Sequence, residues 1–253
     1  MDDAQAIFDL KGKTACVTGA SSGLGRYAAS LLSDTGANVV GIARREDQLA
    51  EWRAQDPDRR AYVCSDLSDV KNIAQVAKDV GRHFGPPDIL VCAAGLNLRQ
   101  HADELTIDGW DQTIAVNLGS PMFLGQALVP AMKERGWGRI VNFASLQTTR
   151  AFPSGIAYGT AKSGVAQMTR AMAEAWSRFG INANAIGPGF FETELTAPVF
   201  EDAELAARNA AQTCIGRNGL LGDLDGPLLF LCSDASRYVT GQVLMVDGGF
   251  TAK

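Results

Sequence analysis

TGASSGLG, residues 18–25, sets three glycines, Gly19, Gly23 and Gly25, between a strand-like run and a helix-like one. The lead-in KTACVTG (13–19) is short, apolar and β-branched. The sequel RYAASLLSDTG (26–36) reads as a helix ending at Gly36. A small-residue turn at that junction suits an anion, because the backbone comes close and the unpaired N–H groups of a helix start attract phosphate. An ordinary tight turn fits the same triplet, so the rest of the chain has to decide.

Outward from this turn, strand and helix signals alternate with short connections. ANVVGIA (37–43), AYVCS (61–65), DILVCAAG (88–95), GRIVNFAS (138–145), INANAIG (181–187) and QVLMVDGG (242–249) read as further strands. Between them lie helical patterns at 45–54, 68–85, about 105–135, about 154–179 and 223–234, with Ser68 placed to cap the second of these. Seven strands in such alternation predict an α/β fold: one doubly wound, Rossmann-type parallel sheet with helices on both faces. No linker or repeat interrupts the chain, which reads as one domain over 1–253. The least regular stretch, 188–221, follows a strand and is read as a substrate lid, since ligands of open α/β sheets bind at that end.

Composition narrows the function. Of the 253 residues 20% are charged and the formal net charge is −5, so nothing marks a nucleic-acid surface or an anionic membrane as partner. MDDAQAIFDLKGK (1–13) carries acids where a signal peptide needs bases, and no segment reads as a membrane span, which points to the cytoplasm. The five cysteines (16, 64, 92, 214, 232) include no close pairs, arguing against a disulfide framework or a metal site. Cys16, Cys64 and Cys92 read as small hydrophobes in strands. The two histidines, His83 and His101, read as surface or supporting residues rather than catalytic bases.

In YGTAK (158–162), Tyr158 and Lys162 stand one helical turn apart on the same face, so an ammonium lies near a phenol and favours its ionised form. Taken alone, such a pair is an ordinary packing contact. Ser145, thirteen residues earlier, ends the fifth strand and offers a hydroxyl to a substrate oxygen; capping the next turn is its simpler use. Asn117, in AVNLGS (115–120), sits mid-helix, where asparagine is a poor choice unless its side chain has a task.

Together these residues resemble the short-chain dehydrogenase/reductase family in its compact form, over nearly the whole chain. TGASSGLG matches the family's cofactor turn, Asn117–Ser145–Tyr158–Lys162 its tetrad, GPGFFET (187–193) its Pro-Gly-x-x-x-Thr element, and VDGG (246–249) its C-terminal signature. The resemblance implies hydride transfer between a nicotinamide dinucleotide and a substrate carbon. Tyr158 would be the general acid/base and Ser145 would polarise the substrate oxygen. Lys162 would lower the tyrosine pKa and hold the nicotinamide ribose, and Asn117 would hold a water linking Lys162 to solvent. Gly19, Ser21, Ser22, Gly23, Leu24 and Gly25 would seat the pyrophosphate, and Asp66 with Leu67 the adenine, although Asp66 also suits a helix cap. Ala94 and Gly95 would approach the cofactor, and Pro188, Gly189 and Thr193 would flank the nicotinamide. One departure is CAAG, where Ala93 replaces an asparagine that braces the family's central sheet.

At the end of the second strand, Ala43 occupies the position that carries a ribose-binding acid in NAD-using relatives, and Arg44 and Arg45 follow. A guanidinium there pairs with a 2′-phosphate, which favours NADP over NAD. Against this stand Ser22, where NADP users often carry a base, and the alternative that Arg44 stacks on the adenine. IGPGFFETELTAP (186–198) is similar to the gluconate 5-dehydrogenase and deoxygluconate dehydrogenase subgroup, in which an arginine at the Arg99 position contacts the substrate carboxylate. Arg99, Gln147 and Phe190 are therefore candidate substrate contacts for a sugar acid or polyol. A solvated Arg99, or an apolar ketone pocket roofed by Phe190 and Phe191, is the competing reading. A 3-oxoacyl carrier-protein reductase carries the same general motifs, and a dinucleotide-binding sensor is the non-enzyme alternative. Met122, Phe123, Met168, Met172 and Trp176 put apolar residues on more than one face of the two long helices, which suggests a homotetramer.

Overall fold

Strand β1 (Thr14–Thr18) is buried along its whole length, and its residues alternate between two cores. Ala15 and Val17 face one core, and Cys16 faces the other. That two-sided burial is what a central parallel strand requires. The computed structural model describes residues 6–253, so Asp2 and Asp3 of the acidic start lie outside the described residues.

The sheet has seven strands in the order β3-β2-β1-β4-β5-β6-β7, all paired in parallel. Beyond β1 they are β2 (Asn38–Ala43), β3 (Arg60–Cys64), β4 (Ile89–Cys92), β5 (Gly138–Phe143), β6 (Ile181–Pro188) and β7 (Val243–Val246). Helices α1 (Gly23–Asp34), α2 (Glu46–Ala54) and, near the C-terminus, Asp225–Cys232 cover one face through Leu32, Trp52 and Leu228. Helix α3 (Ile73–Phe84) and two long segments cover the other through Val76, Leu124 and Met172. The expected doubly wound sheet is thus found. Its strand order reverses between β1 and β4, and the crevice beyond the carboxyl ends of those strands is where such sheets bind ligands.

The first long segment is α4 (Ile107–Ile114), a wide π turn at Ala115–Gly119, and α5 (Ser120–Arg135). This continuous run, Ile107–Arg135, is long and apolar enough to meet a length and hydropathy criterion for a bilayer span, contrary to the reading that no segment does. Here it lies against the sheet, with Leu124, Leu128, Val129 and Met132 buried. The second long segment is α6 (Ile156–Trp176).

Three further sequence readings are corrected. Asp69, not Ser68, caps the turn before α3: its carboxylate accepts from the Lys71 N–H at 3.3 Å, and the Ser68 N–H donates to the Asp66 carboxylate at 2.9 Å. Cys64 is exposed at the terminus of β3, an edge strand paired on one side only, whereas Cys16 and Cys92 are buried as expected. The 188–221 segment is not irregular: it holds a short turn at Glu194–Thr196, a helical turn at Ala197–Phe200 and helix α7 (Ala203–Gln212), capped by Asp202. Of the five apolar residues read on more than one face of the long helices, Met172 is core, Met122, Met168 and Trp176 are partly buried against it, and Phe123 is exposed. Both histidines are exposed.

Candidate active site

The glycine turn is shaped by close approach. Gly19 has φ +74°, and a Cβ there would stand 2.9 Å from the backbone nitrogen of Ala94, two residues beyond the end of β4. Gly25 packs the first turn of α1 against the Gly19 carbonyl, which leaves no room for a side chain. The Thr18 hydroxyl accepts a hydrogen bond from the Ala94 N–H at 3.0 Å. That bond ties β1 to the segment after β4, and so supplies a brace next to Ala93, where the family's asparagine is missing.

Beside this turn lies one cavity of about 890 Å³. Its walls include the turn residues Gly19, Ser21, Ser22, Gly23, Leu24 and Gly25, then Arg44, Arg45, Asp66 and Leu67, and Ala94 and Gly95. Ser145, Tyr158, Lys162, Pro188, Gly189 and Thr193 follow, as do Arg99, Gln147 and Phe190. Every site residue read from the sequence except Asn117 therefore meets in one cleft. Its size and the side-chain-free glycine cradle fit a dinucleotide.

Helix α6 presents Tyr158 and Lys162 on one face, with the ammonium 5.5 Å from the phenol ring centroid. Lys162 Nζ donates to the Phe143 carbonyl at 2.7 Å, and burial pushes its pKa down to about 8. Burial raises the Tyr158 pKa; the Ser145 hydroxyl and the Arg99 charge oppose that rise. Lys162 is not among these influences on the phenol, and its ammonium donates to a backbone carbonyl. Ser145 lies two residues beyond the end of β5, where its hydroxyl accepts from the Gln147 N–H at 3.1 Å. It caps the following turn and still has its own hydrogen to donate.

Asn117 is buried in the π turn. Its amide donates to the Leu96 carbonyl at 2.8 Å and the Thr113 carbonyl at 2.9 Å, and its oxygen accepts from the Leu96 N–H at 3.3 Å. Both amide hydrogens are thus used, and the side chain ties the loop after β4 to the helix. The residue four places on is Pro121, which has no N–H, so the Asn117 carbonyl loses its α-helical donor.

Five cationic side chains line the cleft, Arg44, Arg45, Arg99, Lys162 and Arg208, against two anionic ones, Asp66 and Glu194. In a chain of net charge −5 this is a local positive field that favours anionic ligands. Asp66 lies 4.0 Å from Arg44, and the N–H of Ser68 together with Arg44 holds its pKa below the usual carboxylate value. Arg99, in the left-handed region at φ +53°, donates to the Leu195 carbonyl at 2.9 Å.

Phe190 and Phe191 both line the cleft; Phe190 meets Phe152 and Phe250 edge-on, whereas Phe191 is 2% exposed and packs into the core as well. Sequence reading missed Glu194 and, on α7, Arg208, Asn209 and Gln212, which all line the cleft. The one signal for the last three was the capped helix start at Asp202, inside a segment read as loop.

The comparisons with known proteins agree with this geometry. The family model described as enoyl-(acyl carrier protein) reductase matches residues 19–251. The chain is similar to gluconate 5-dehydrogenase of Gluconobacter oxydans, at 36% identity over 97% of each chain. It is similar to an NAD-dependent glycerol dehydrogenase of Listeria innocua, at 33% identity over 97% of this chain and 96% of the relative. Among solved structures, a gluconate 5-dehydrogenase from Burkholderia cenocepacia, in complex with NADP and tartrate, superposes with a TM-score of 0.93 at 34% identity over 99% of each chain.

Proposed function

This chain belongs to the short-chain dehydrogenase/reductase family and is an NAD(P)-dependent oxidoreductase of CH–OH groups, and from that premise we propose that it interconverts the alcohol and ketone of a sugar acid or polyol such as gluconate, with NADP favoured. The observation that carries the substrate reading is Arg99, whose guanidinium lines the same cleft as Ser145 and Tyr158. It is spent in this structure on a mere backbone carbonyl, which a carboxylate would outcompete with two parallel charge-assisted bonds. The Gluconobacter and Burkholderia relatives are both named for gluconate.

When bound, the nicotinamide gives or takes the hydride at the reacting carbon. The Tyr158 hydroxyl passes the proton to or from the substrate oxygen, and Ser145 donates its remaining hydrogen to the same oxygen. Lys162 holds the nicotinamide ribose. The Asn117 carbonyl, without its helical donor, holds the water that connects Lys162 to solvent. Gly19 to Gly25 seat the pyrophosphate, Asp66 and Leu67 the adenine, and Pro188, Gly189 and Thr193 the nicotinamide. Arg45 and Arg44 take the 2′-phosphate, and Gln147 and Phe190 complete the substrate pocket. The 188–221 segment closes over it.

The test is the absorbance of reduced nicotinamide with gluconate, related sugar acids, polyols and, in reverse, a 3-oxoacyl thioester, each with both cofactors. Turnover of a sugar acid supports the reading; turnover of the thioester alone replaces it with a carrier-protein reductase. No turnover of any carbonyl or alcohol would leave the dinucleotide sensor. Arg99→Ala is expected to raise KM for the sugar acid about tenfold or more with kcat little changed, the loss of one charge-assisted contact. An unchanged KM would place Arg99 outside the substrate site.

The assembly we propose is a cytoplasmic homotetramer. All five cysteines are free thiols, as in a reducing compartment. Phe123, Ile156, Leu244 and the fully exposed Tyr238 offer apolar surface on the long helices and near β7. Light scattering is expected to give four times the 26.8 kDa chain mass, and a monomer mass would refute it.

A further inference from the structure

Arg45 joins three parts of the chain that are distant in sequence. Its Nε and Nη2 donate to the Ser21 hydroxyl at 3.3 and 3.1 Å, and Nη2 donates to the Ser22 hydroxyl at 2.6 Å. Its Nη1 lies 2.9 Å from the carboxylate of Glu194, at the base of the 188–221 segment. The next residue, Leu195, is the one whose carbonyl accepts from Arg99. The two arginines read as holding the ligands' anions thus both hold the same short segment.

We propose that Glu194 is a cofactor-selectivity residue: its carboxylate holds the Arg45 guanidinium that the 2′-phosphate of NADP has to take. This rests on the reading of NADP as cofactor. A phosphate monoester carries about −1.5 to −2 at neutral pH and three acceptor oxygens. Carrying more charge and more acceptor oxygens than a carboxylate, it displaces the carboxylate from the shared guanidinium. The adenosine of NAD has a neutral hydroxyl at that position, so the Arg45–Glu194 pair persists when NAD binds. Glu194 therefore weakens NADP binding selectively, and its displacement frees the segment at the base of the lid.

The experiment is a fluorescence titration of NADPH and of NADH on wild type, Glu194→Gln, Arg45→Ala and the double variant. Removing an exposed ion pair changes affinity by up to about fivefold. Glu194→Gln is therefore expected to tighten NADPH about three- to fivefold while NADH stays within twofold, and the gain shrinks at high salt. In the Arg45→Ala background the same substitution is expected to do nothing, because the competed guanidinium is gone. A wild type that binds both cofactors equally overturns the NADP reading and this proposal with it. A preference for NADPH that Glu194→Gln leaves untouched, an equal gain for both cofactors, or a gain that survives Arg45→Ala overturns the role of Glu194 alone.

Discussion

Tyr158→Phe is expected to reduce kcat by a factor of about 10²–10⁴, the usual share of a positioned acid or base, with NADPH affinity and thermal stability near wild type. The substitution removes one hydroxyl and keeps the ring that packs on α6. The Ser145 hydroxyl remains to bind a substrate oxygen but has no proton path behind it. The phenol is held up by burial and eased down by Ser145 and Arg99, so Arg99→Ala is expected to move the Tyr158 limb of the pH–rate profile upward (the acidic limb in alcohol oxidation, the basic limb in ketone reduction) as well as raising KM. Retained turnover in Tyr158→Phe would remove the proposed mechanism, and it would leave the family and the fold in place.

Lys162→Met is expected to abolish turnover and, unusually for a buried site, to change stability in a pH-dependent direction. Lys162 is 3% exposed and its pKa is depressed to about 8 from 10.5. Below pH 8 the folded chain carries a buried charge, at a cost of roughly 3 kcal/mol by that shift. Between pH 8 and 10.5 the folded state has released a proton that the unfolded state still holds, so wild-type stability rises across this window. Methionine removes the charge and leaves the Phe143 carbonyl without its donor, which gives back about 1–3 kcal/mol. The variant's stability relative to wild type is therefore expected to be greatest near pH 7 and to fall by about 3 kcal/mol toward pH 10.5. Urea unfolding at a series of pH values measures it directly. Parallel curves for the two proteins would mean that Lys162 is not held against its charge.

The alternation of strands and helices was readable because its causes are local. Val39 and Val40 point to opposite faces by the two-residue period of a strand, and Ile73, Val76, Ala77 and Val80 share one face by the turn of a helix. The glycine turn was readable for a similar reason: a residue at φ +74° with a backbone nitrogen where its Cβ would be has to be glycine. The spacing of Tyr158 and Lys162 places both on one face of any helix. Asn117 stood out only as a poor mid-helix residue, and family motifs carried it together with Ser145 and Thr193.

Sequence by itself thus determined the sheet, the turn, the family and the constellation proposed to carry the chemistry, all of which follow from short-range geometry or from motifs of fixed order. Tertiary structure alone decided where each charge is spent. Lys162 faces the Phe143 carbonyl and not the phenol oxygen, and Arg45 reaches Glu194, 149 residues away, across the glycine turn. It decided that Phe190 joins Phe152 and Phe250 while Phe191 is buried in the core beside the cleft, and that α7 brings Arg208 and Asn209 to the site. Such contacts join segments whose separation along the chain says nothing of their distance in space. The pKa of a buried group and the partner of a guanidinium are set by what the whole fold packs around them.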